Sequence, residues 1–239
     1  MYRNRQPRSF NPSWLINQSV GQSKLEVVAI KHDFADFPVG EQIKNNVKLK
    51  GYLIPTPIQD KVIPLILKGI DVVGVANTGT GKTAAFLIPL IDKVFKNSRE
   101  KVLVITPTRE LAAQIEAEFM ALARNLPLHS ALCIGGAGMN RQIQRLRQAP
   151  ALVIGTPGRL KDLAQRRMLR LNSFTTIVLD EVDRMLDMGF IHDVQELISF
   201  LPLQRQSLFF SATIEGKVKE VMAGFLNNSQ VKSFTGFYG

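Results

Sequence analysis

The sequence holds a single cysteine, long apolar runs are missing, and one stretch is nearly without acidic residues; each scarcity excludes something. With Cys133 alone, no internal disulfide can form, and its place in the apolar run 131–134 makes it a packing residue rather than a reactive thiol. Apolar runs such as 72–76 and 151–154 fall far short of the roughly 18 residues a spanning helix needs, so no transmembrane segment is expected. The amino terminus, where Arg3, Arg5 and Arg8 are interspersed with Asn, Gln and Pro, lacks the apolar centre of a secretory signal peptide, and the expected location is cytoplasmic. Internal repeats and low-complexity tracts are absent too. At 45% hydrophobic and 21% charged residues, the composition is that of a chain that folds.

The scarcity of acid is local. Between Gly138 and Arg170 the only acidic residue is Asp162, against Arg141, Arg145, Arg147, Arg159, Lys161, Arg166, Arg167 and Arg170. Most of the net charge of +10 therefore sits in one segment. A basic surface attracts polyanions through phosphate contacts and counterion release. On charge alone, this cluster reads either as a nucleic-acid interface or as a set of solvated helix faces.

A length of 239 residues allows one large domain or two small ones. Residues 1–33 have no clear period, carry Ser, Asn, Gln and Pro, and read as a basic, flexible extension with one anchored patch at 10–16. From Phe34 onward, short aliphatic runs recur at 72–76, 102–106, 130–134, 152–155, 176–180 and 208–211, which makes six strand candidates. The segments between them have helical spacing: Leu111, Ile115, Phe119 and Leu122 fall on one face. Strands that are apolar throughout are expected where helices cover both faces of a sheet. The expectation is a doubly wound, mainly parallel α/β domain over 34–239, with its site at the carboxyl ends of the strands.

A chemical motif stands at the first such end. After the strand 72–76 come Asn77, Thr78, Gly79, Thr80, Gly81, Lys82 and Thr83, and then a helix. Glycines at 79 and 81 let backbone N–H groups turn inward around phosphate oxygens, and the helix amino terminus adds partial positive charge. Lys82 would reach the β and γ phosphates, and Thr83 would place its hydroxyl on Mg²⁺. The general phosphate-loop pattern opens on glycine where this chain has Ala76. At the end of the strand 176–180 stand Asp180, Glu181, Val182 and Asp183. Asp180 could hold Mg²⁺ through a water, and Glu181 could orient and deprotonate the water that attacks the γ-phosphate. Pro107-Thr108-Arg109-Glu110-Leu111, Gly135-Gly136, Thr156-Pro157-Gly158-Arg159 and Ser211-Ala212-Thr213 each follow a strand candidate; singly, each reads as an ordinary turn.

Taken in order, the segment GYLIPTPIQ at 51–59, the loop 76–83, PTREL, GG, TPGR, DEVD and SAT resemble the DEAD-box family of ATP-dependent RNA helicases, over about residues 34–231. The resemblance implies the first RecA-like domain of a helicase of superfamily 2, a P-loop NTPase that uses ATP and Mg²⁺ and binds RNA as a monomer. It implies a Q motif over 34–60, in which Phe34 is the preceding aromatic, Gln59 reads adenine and Tyr52 stacks on the base. A side-chain amide can give and accept one hydrogen bond each with the adenine edge, a pairing that guanine does not satisfy. Likewise by resemblance, Pro107, Thr108, Arg109, Gly135, Gly136, Thr156, Pro157, Gly158 and Arg159 fall to the RNA sugar-phosphate backbone, and Asp183, Ser211 and Thr213 couple hydrolysis to strand separation. The basic segment then lies beside the expected RNA track.

Three departures bear on mechanism. Val182 stands where the family has alanine, which leaves both acids and their spacing untouched, and Asn77 stands where glutamine is frequent. Only 26 residues follow Thr213, too few for the family's second RecA-like domain with its arginine fingers. The expectation is the ATP-binding half of a helicase, with little turnover of its own. A non-catalytic RNA-binding or annealing module that keeps the nucleotide loop as a relic is the alternative. A GTPase is disfavoured by the lack of an Asn-Lys-x-Asp or Thr-Lys-x-Asp tetrapeptide.

Overall fold

The computed structural model describes residues 30–226 and 231–237; the patch expected at 10–16 and most of the extension lie outside these. Docking begins slightly ahead of the expected boundary. The backbone N–H groups of Lys31 and His32 donate to the buried Asp60 carboxylate at 3.2 and 3.0 Å, and His32 Nδ1 lies 2.7 Å from it.

A single 3₁₀ turn, Phe34–Asp36, leads into helices α1 (Glu41–Leu49) and α2 (Pro57–Leu67). Strands and helices then alternate: β1 (Asp71–Ala76), α3 (Lys82–Lys96), β2 (Val102–Ile105), α4 (Arg109–Leu122), β3 (Ser130–Cys133) and α5 (Met139–Arg147). They continue with β4 (Leu152–Gly155), α6 (Pro157–Gln165), β5 (Thr176–Leu179), α7 (Val182–Asp187), α8 (Ile191–Ser199), β6 (Gln206–Ser211), α9 (Lys217–Phe225) and β7 (Val231–Phe237). The sheet order is β3-β4-β2-β5-β6-β1-β7, and every pairing is parallel.

The alternation of side chains along the strands explains the layering. Val72, Val104, Ile154, Val178 and Phe210 face one way and pack with residues of α1 to α4. Val73, Leu103, Val153, Ile177 and Phe209 face the other way and pack with α6 to α9. Both faces are buried, so this is the doubly wound arrangement that the apolar strands imply. Cys133 is fully buried in the second layer, and burial pushes its thiol up to about 12, in keeping with a packing role.

All six candidate strands form. The seventh, β7, was not among them: its sequence VKSFTGF mixes polar residues and glycine into the run, and it lies at the sheet edge beside β1, where continuous apolarity is not required. Two strand glycines are spacers. A Cβ on Gly74 would come within 2.6 Å of the Phe210 ring, which is fully buried 5.7 Å from Phe86. At Gly155 a Cβ would meet the Cys133 carbonyl and the Leu160 side chain.

Overpacking a filled core costs about 1–3 kcal/mol. Gly74→Val should therefore destabilise the chain by about 2 kcal/mol or more in urea unfolding. Gly138→Ala, at a glycine with negative φ and nothing within 4 Å, should leave the urea midpoint nearly unchanged.

Candidate functional site

The carboxyl ends of β1, β5 and β6 lie side by side in the sheet, and the loop after β1 closes on itself. Gly79 and Gly81 hold φ values of 83° and 90°, a left-handed conformation that glycine adopts without strain. Lys82 is buried, and its Nζ donates to the Ala76 carbonyl at 2.7 Å; Thr80 Oγ1 donates to the Asn77 carbonyl at 2.9 Å. The loop is thus folded around its own lysine.

Gln59 supports this loop from below. It is buried, its Oε1 accepts from the Thr56 N–H at 2.9 Å, and its Nε2 donates to the Gly81 carbonyl at 3.1 Å. A Cβ at Gly81 would come 2.6 Å from that nitrogen, so a side chain there would displace Gln59 from the loop. Gln59 does not line the adjoining cleft, whereas Tyr52 does. Tyr52 donates its hydroxyl to Glu118 at 2.5 Å, Glu118 also pairs with Lys50 at 2.9 Å, and the Tyr52 ring stacks at 6.3 Å on Phe34. Burial, reinforced by Glu118, holds the Tyr52 phenol above its usual value, so it stays a neutral donor.

The cleft encloses about 550 Å³ and is lined by Thr78, Gly79, Gly81, Lys82 and Thr83 on one side and by Asp180, Glu181 and Arg184 on another. Asp180 is 2% exposed, and its Oδ1 has no hydrogen-bond partner. Burial pushes its carboxyl up to about 6; Lys82 opposes the shift, and Glu181 and Asp183 add to it. Glu181 sits at φ 54° and ψ 53°, a left-handed conformation that costs a residue with a side chain roughly 1 kcal/mol or more. Its carboxylate pairs with Arg184 at 3.2 Å. Val182 points down into the second core layer and is fully buried, which accounts for a bulky aliphatic residue between the acids. Asp183 is tied to β6: its N–H donates to Ser211 Oγ at 3.2 Å, and its Oδ2 accepts from the Ala212 N–H at 3.1 Å. Thr213 stands exposed just beyond.

A second cleft of about 530 Å³ opens next to the first, lined by Pro107, Thr108, Arg109, Gly135, Thr156, Gly158 and Arg159. Thr108 and Glu110 line both clefts, so the first turn of α4 is their common wall. Thr108 Oγ1 caps that helix by accepting from the Leu111 N–H at 3.2 Å. The Arg109 guanidinium lies over Gly135 and Gly136; a side chain on Gly135 would approach it to 3.2 Å, and Gly136 has a φ of 79°. Pro157 is buried at the start of α6, and Arg159 Nη1 donates to the Ala137 carbonyl at 3.3 Å.

Some lining residues were not singled out from the sequence. Gln114 and Glu118 follow Glu110 of the PTREL segment at steps of four and line the first cleft with it, a polar face of α4 that spacing alone could have revealed beside its apolar stripe. Arg184 and, in the second cleft, Met188 and Phe190 carry no such signal.

The family model for DEAD/DEAH box helicases matches residues 56–221, which contain every lining residue of both clefts except Tyr52. The chain belongs to the DEAD/DEAH box helicase family. It is 41% identical over 198 residues to the DEAD-box ATP-dependent RNA helicase CshA of Bacillus subtilis, covering 82% of this chain and 40% of that protein. CshA of Bacillus licheniformis is 43% identical over 203 residues, 82% of this chain and 41% of the relative. This helicase-family chain thus spans about 40% of the length of these curated relatives. Among solved structures, a DEAD box protein from the hyperthermophile Methanococcus jannaschii superposes with a TM-score of 0.78 at 37% identity, over 84% of this chain and 55% of that one. A hypothetical ATP-dependent RNA helicase from Sulfolobus tokodaii gives 0.74 at 36% identity, over 82% and 57%.

The Asp180 carboxyl makes a pH prediction. In the unfolded chain it ionises near its usual 3.8, in the folded chain near 6, so the folded state holds the extra proton between these values. Stability then falls as pH rises through that window, by up to about 3 kcal/mol, and stays lost above it. In buffer free of nucleotide and divalent ions, Asp180→Asn should melt several degrees above the wild type at about pH 7.5, with the gap closing at about pH 3.5. Differential scanning calorimetry at the two pH values checks it.

Proposed function

We propose that this chain is the ATP-binding half of an ATP-dependent RNA helicase, holding nucleotide in the first cleft and the RNA backbone in the second. The observation that carries this reading is the wall common to both clefts: the first turn of α4 can sense the occupant of either. Family membership and the named activity of the CshA relatives support it.

In this reading, nucleotide binding draws Lys82 away from the Ala76 carbonyl and onto the phosphates, while the N–H groups of residues 77–82 receive phosphate oxygens. Mg²⁺ fits the donor set. Asp180 offers a buried oxygen without a partner, Thr83 lines the same cleft, and Mg²⁺ takes one or two protein oxygens and keeps the rest of its shell for water and phosphate. Thr83 and Asp180 would hold the ion, which when bound neutralises phosphate charge. Asp180 must then be ionised, and its Oδ1, which has no protein partner, is available to the ion. Glu181, held at the cleft wall by its backbone conformation and by Arg184, orients the attacking water and takes its proton.

Tyr52 stacks on adenine, its ring fixed between Phe34 and the Glu118 contact. Gln59 reads the adenine edge by trading its bonds to Thr56 and Gly81, which links base identity to the shape of the phosphate loop. Thr108, Arg109, Gly135, Gly136, Thr156, Gly158 and Arg159 bind the sugar-phosphate backbone, so sequence specificity is low. Asp183 passes the state of the acids to Ser211 and the strand end before Thr213. A second RecA-like domain closes over both clefts and supplies the arginine that stabilises the transition-state charge. The whole acts as a cytoplasmic monomer.

The corresponding experiment measures ATP turnover by residues 1–239 with and without RNA. Expected are saturable ATP binding that Lys82→Ala weakens at least about tenfold, and turnover close to background. RNA-stimulated turnover by this chain that Glu181→Gln abolishes would show that no second domain is needed.

A further inference from the structure

Helix α5 presents a cationic face that the two clefts leave unused. Met139, Ile143 and Leu146 pack on the second core layer, and Gln142 is buried with its Nε2 donating to the Ile134 carbonyl at 2.9 Å. The opposite side of the helix carries Arg141, Gln144, Arg145 and Gln148, and Arg147 lies at the lateral edge beside Ile143, all five exposed. This is an amphipathic helix whose outer face is basic and whose inner face is fully accounted for by packing. Glu116 pairs with Arg145 at 3.3 Å, yet Arg145 remains 56% exposed. Beyond Glu118 the chain has no acidic residue until Asp162, so residues 119–161 offer no intervening carboxylate to neutralise the face.

Its position gives the face a direction. Helix α5 begins at the end of the 135–138 loop, whose Gly135 lines the second cleft. Gln142 of α5 and Arg159 of the next motif both donate to carbonyls of residues 134–137, so the helix and the cleft wall are braced together. It also packs against β3, the outermost strand of the sheet. A nine-residue helix is about 13 Å long, enough to accompany about two phosphates beyond the cleft.

We propose that the exposed face of α5 is a continuation of the RNA track, binding the backbone of the strand that leaves the second cleft at the sheet edge. Arg141 and Arg145, one helical turn apart, meet successive phosphates, and Arg147 flanks them. The contact is electrostatic and independent of base sequence. It rests on the RNA-binding reading of the second cleft and extends it past the core motifs.

The test uses the triple variant R141Q/R145Q/R147Q of the full 239-residue chain and fluorescence anisotropy with ATP analogue present. The probes are a short single-stranded RNA that spans the cleft alone and the same RNA lengthened at its 5′ or at its 3′ end. Expected is unchanged affinity for the short probe and a loss of about tenfold or more for one lengthened probe. The slope of log affinity against log salt for that probe should fall by about two. Equal affinity and equal salt slope for every lengthened probe would overturn the proposal while leaving the cleft reading intact. Failure of the wild type to bind the short probe would instead overturn both. If the variant loses binding to polyglutamate but keeps its affinity for lengthened RNA, the face belongs to an acidic protein partner and the proposal falls.

Discussion

Covering both faces of a parallel sheet with helices leaves one place for chemistry, the rim where strands end and helices begin. Every polar group that matters here follows from that constraint. The chain leaves β1, β5 and β6 at adjacent points of the rim, and the connecting loops gather their polar groups there. Because β6 lies between β1 and β5, the residue that ends it, Ser211, is placed to receive the N–H of Asp183. The same ordering sets the second cleft beside the first, since β4 and β2 bring Thr156 and Thr108 to the rim two strands apart or less.

The first cleft gathers groups that are costly to hold in a folded chain. A carboxyl group with a buried, unpartnered oxygen and an acidic residue in left-handed backbone each cost stability, while Lys82 is satisfied by the Ala76 carbonyl. The core compensates: aliphatic layers on both faces, spaced by Gly74 and Gly155, are filled without slack. This division, a tightly packed interior below a strained rim, is how a marginally stable domain can carry a charged site without losing its fold.

The sheet was legible because its strands are apolar on both faces, a pattern that depends on burial rather than on any one residue. Strand β7 escaped because an edge strand needs no such pattern. That the loop 77–83 and the acids at 180–183 belong together was legible because glycine, lysine and carboxylates at strand ends have few other uses, and Asp180 and Glu181 line one cleft with Gly79, Gly81 and Lys82. The support around them was not. Gln59 could be named from its segment, and its bond to Thr56 is a local capping box, but its bond to Gly81 depends on α2 lying under the loop, a long-range fact. Glu118 and Arg184 are ordinary helix residues until the fold brings them to Tyr52 and Glu181. Val182 looked like a departure and proved to be a core residue. Met188 and Phe190 line the second cleft only because α7 ends where it does.

The claim at the centre of this account is that one rim carries two binding sites whose coupling requires a second domain. The most direct measurement is a calorimetric titration of residues 1–239 with ATP and with GTP, each with Mg²⁺, repeated at saturating RNA. Expected are a single ATP site, no comparable binding of GTP, and an ATP affinity that RNA changes by less than about twofold. Equal binding of both nucleotides would contradict adenine recognition through Gln59 and Tyr52. A large tightening by RNA in this chain alone would contradict the need for a partner domain.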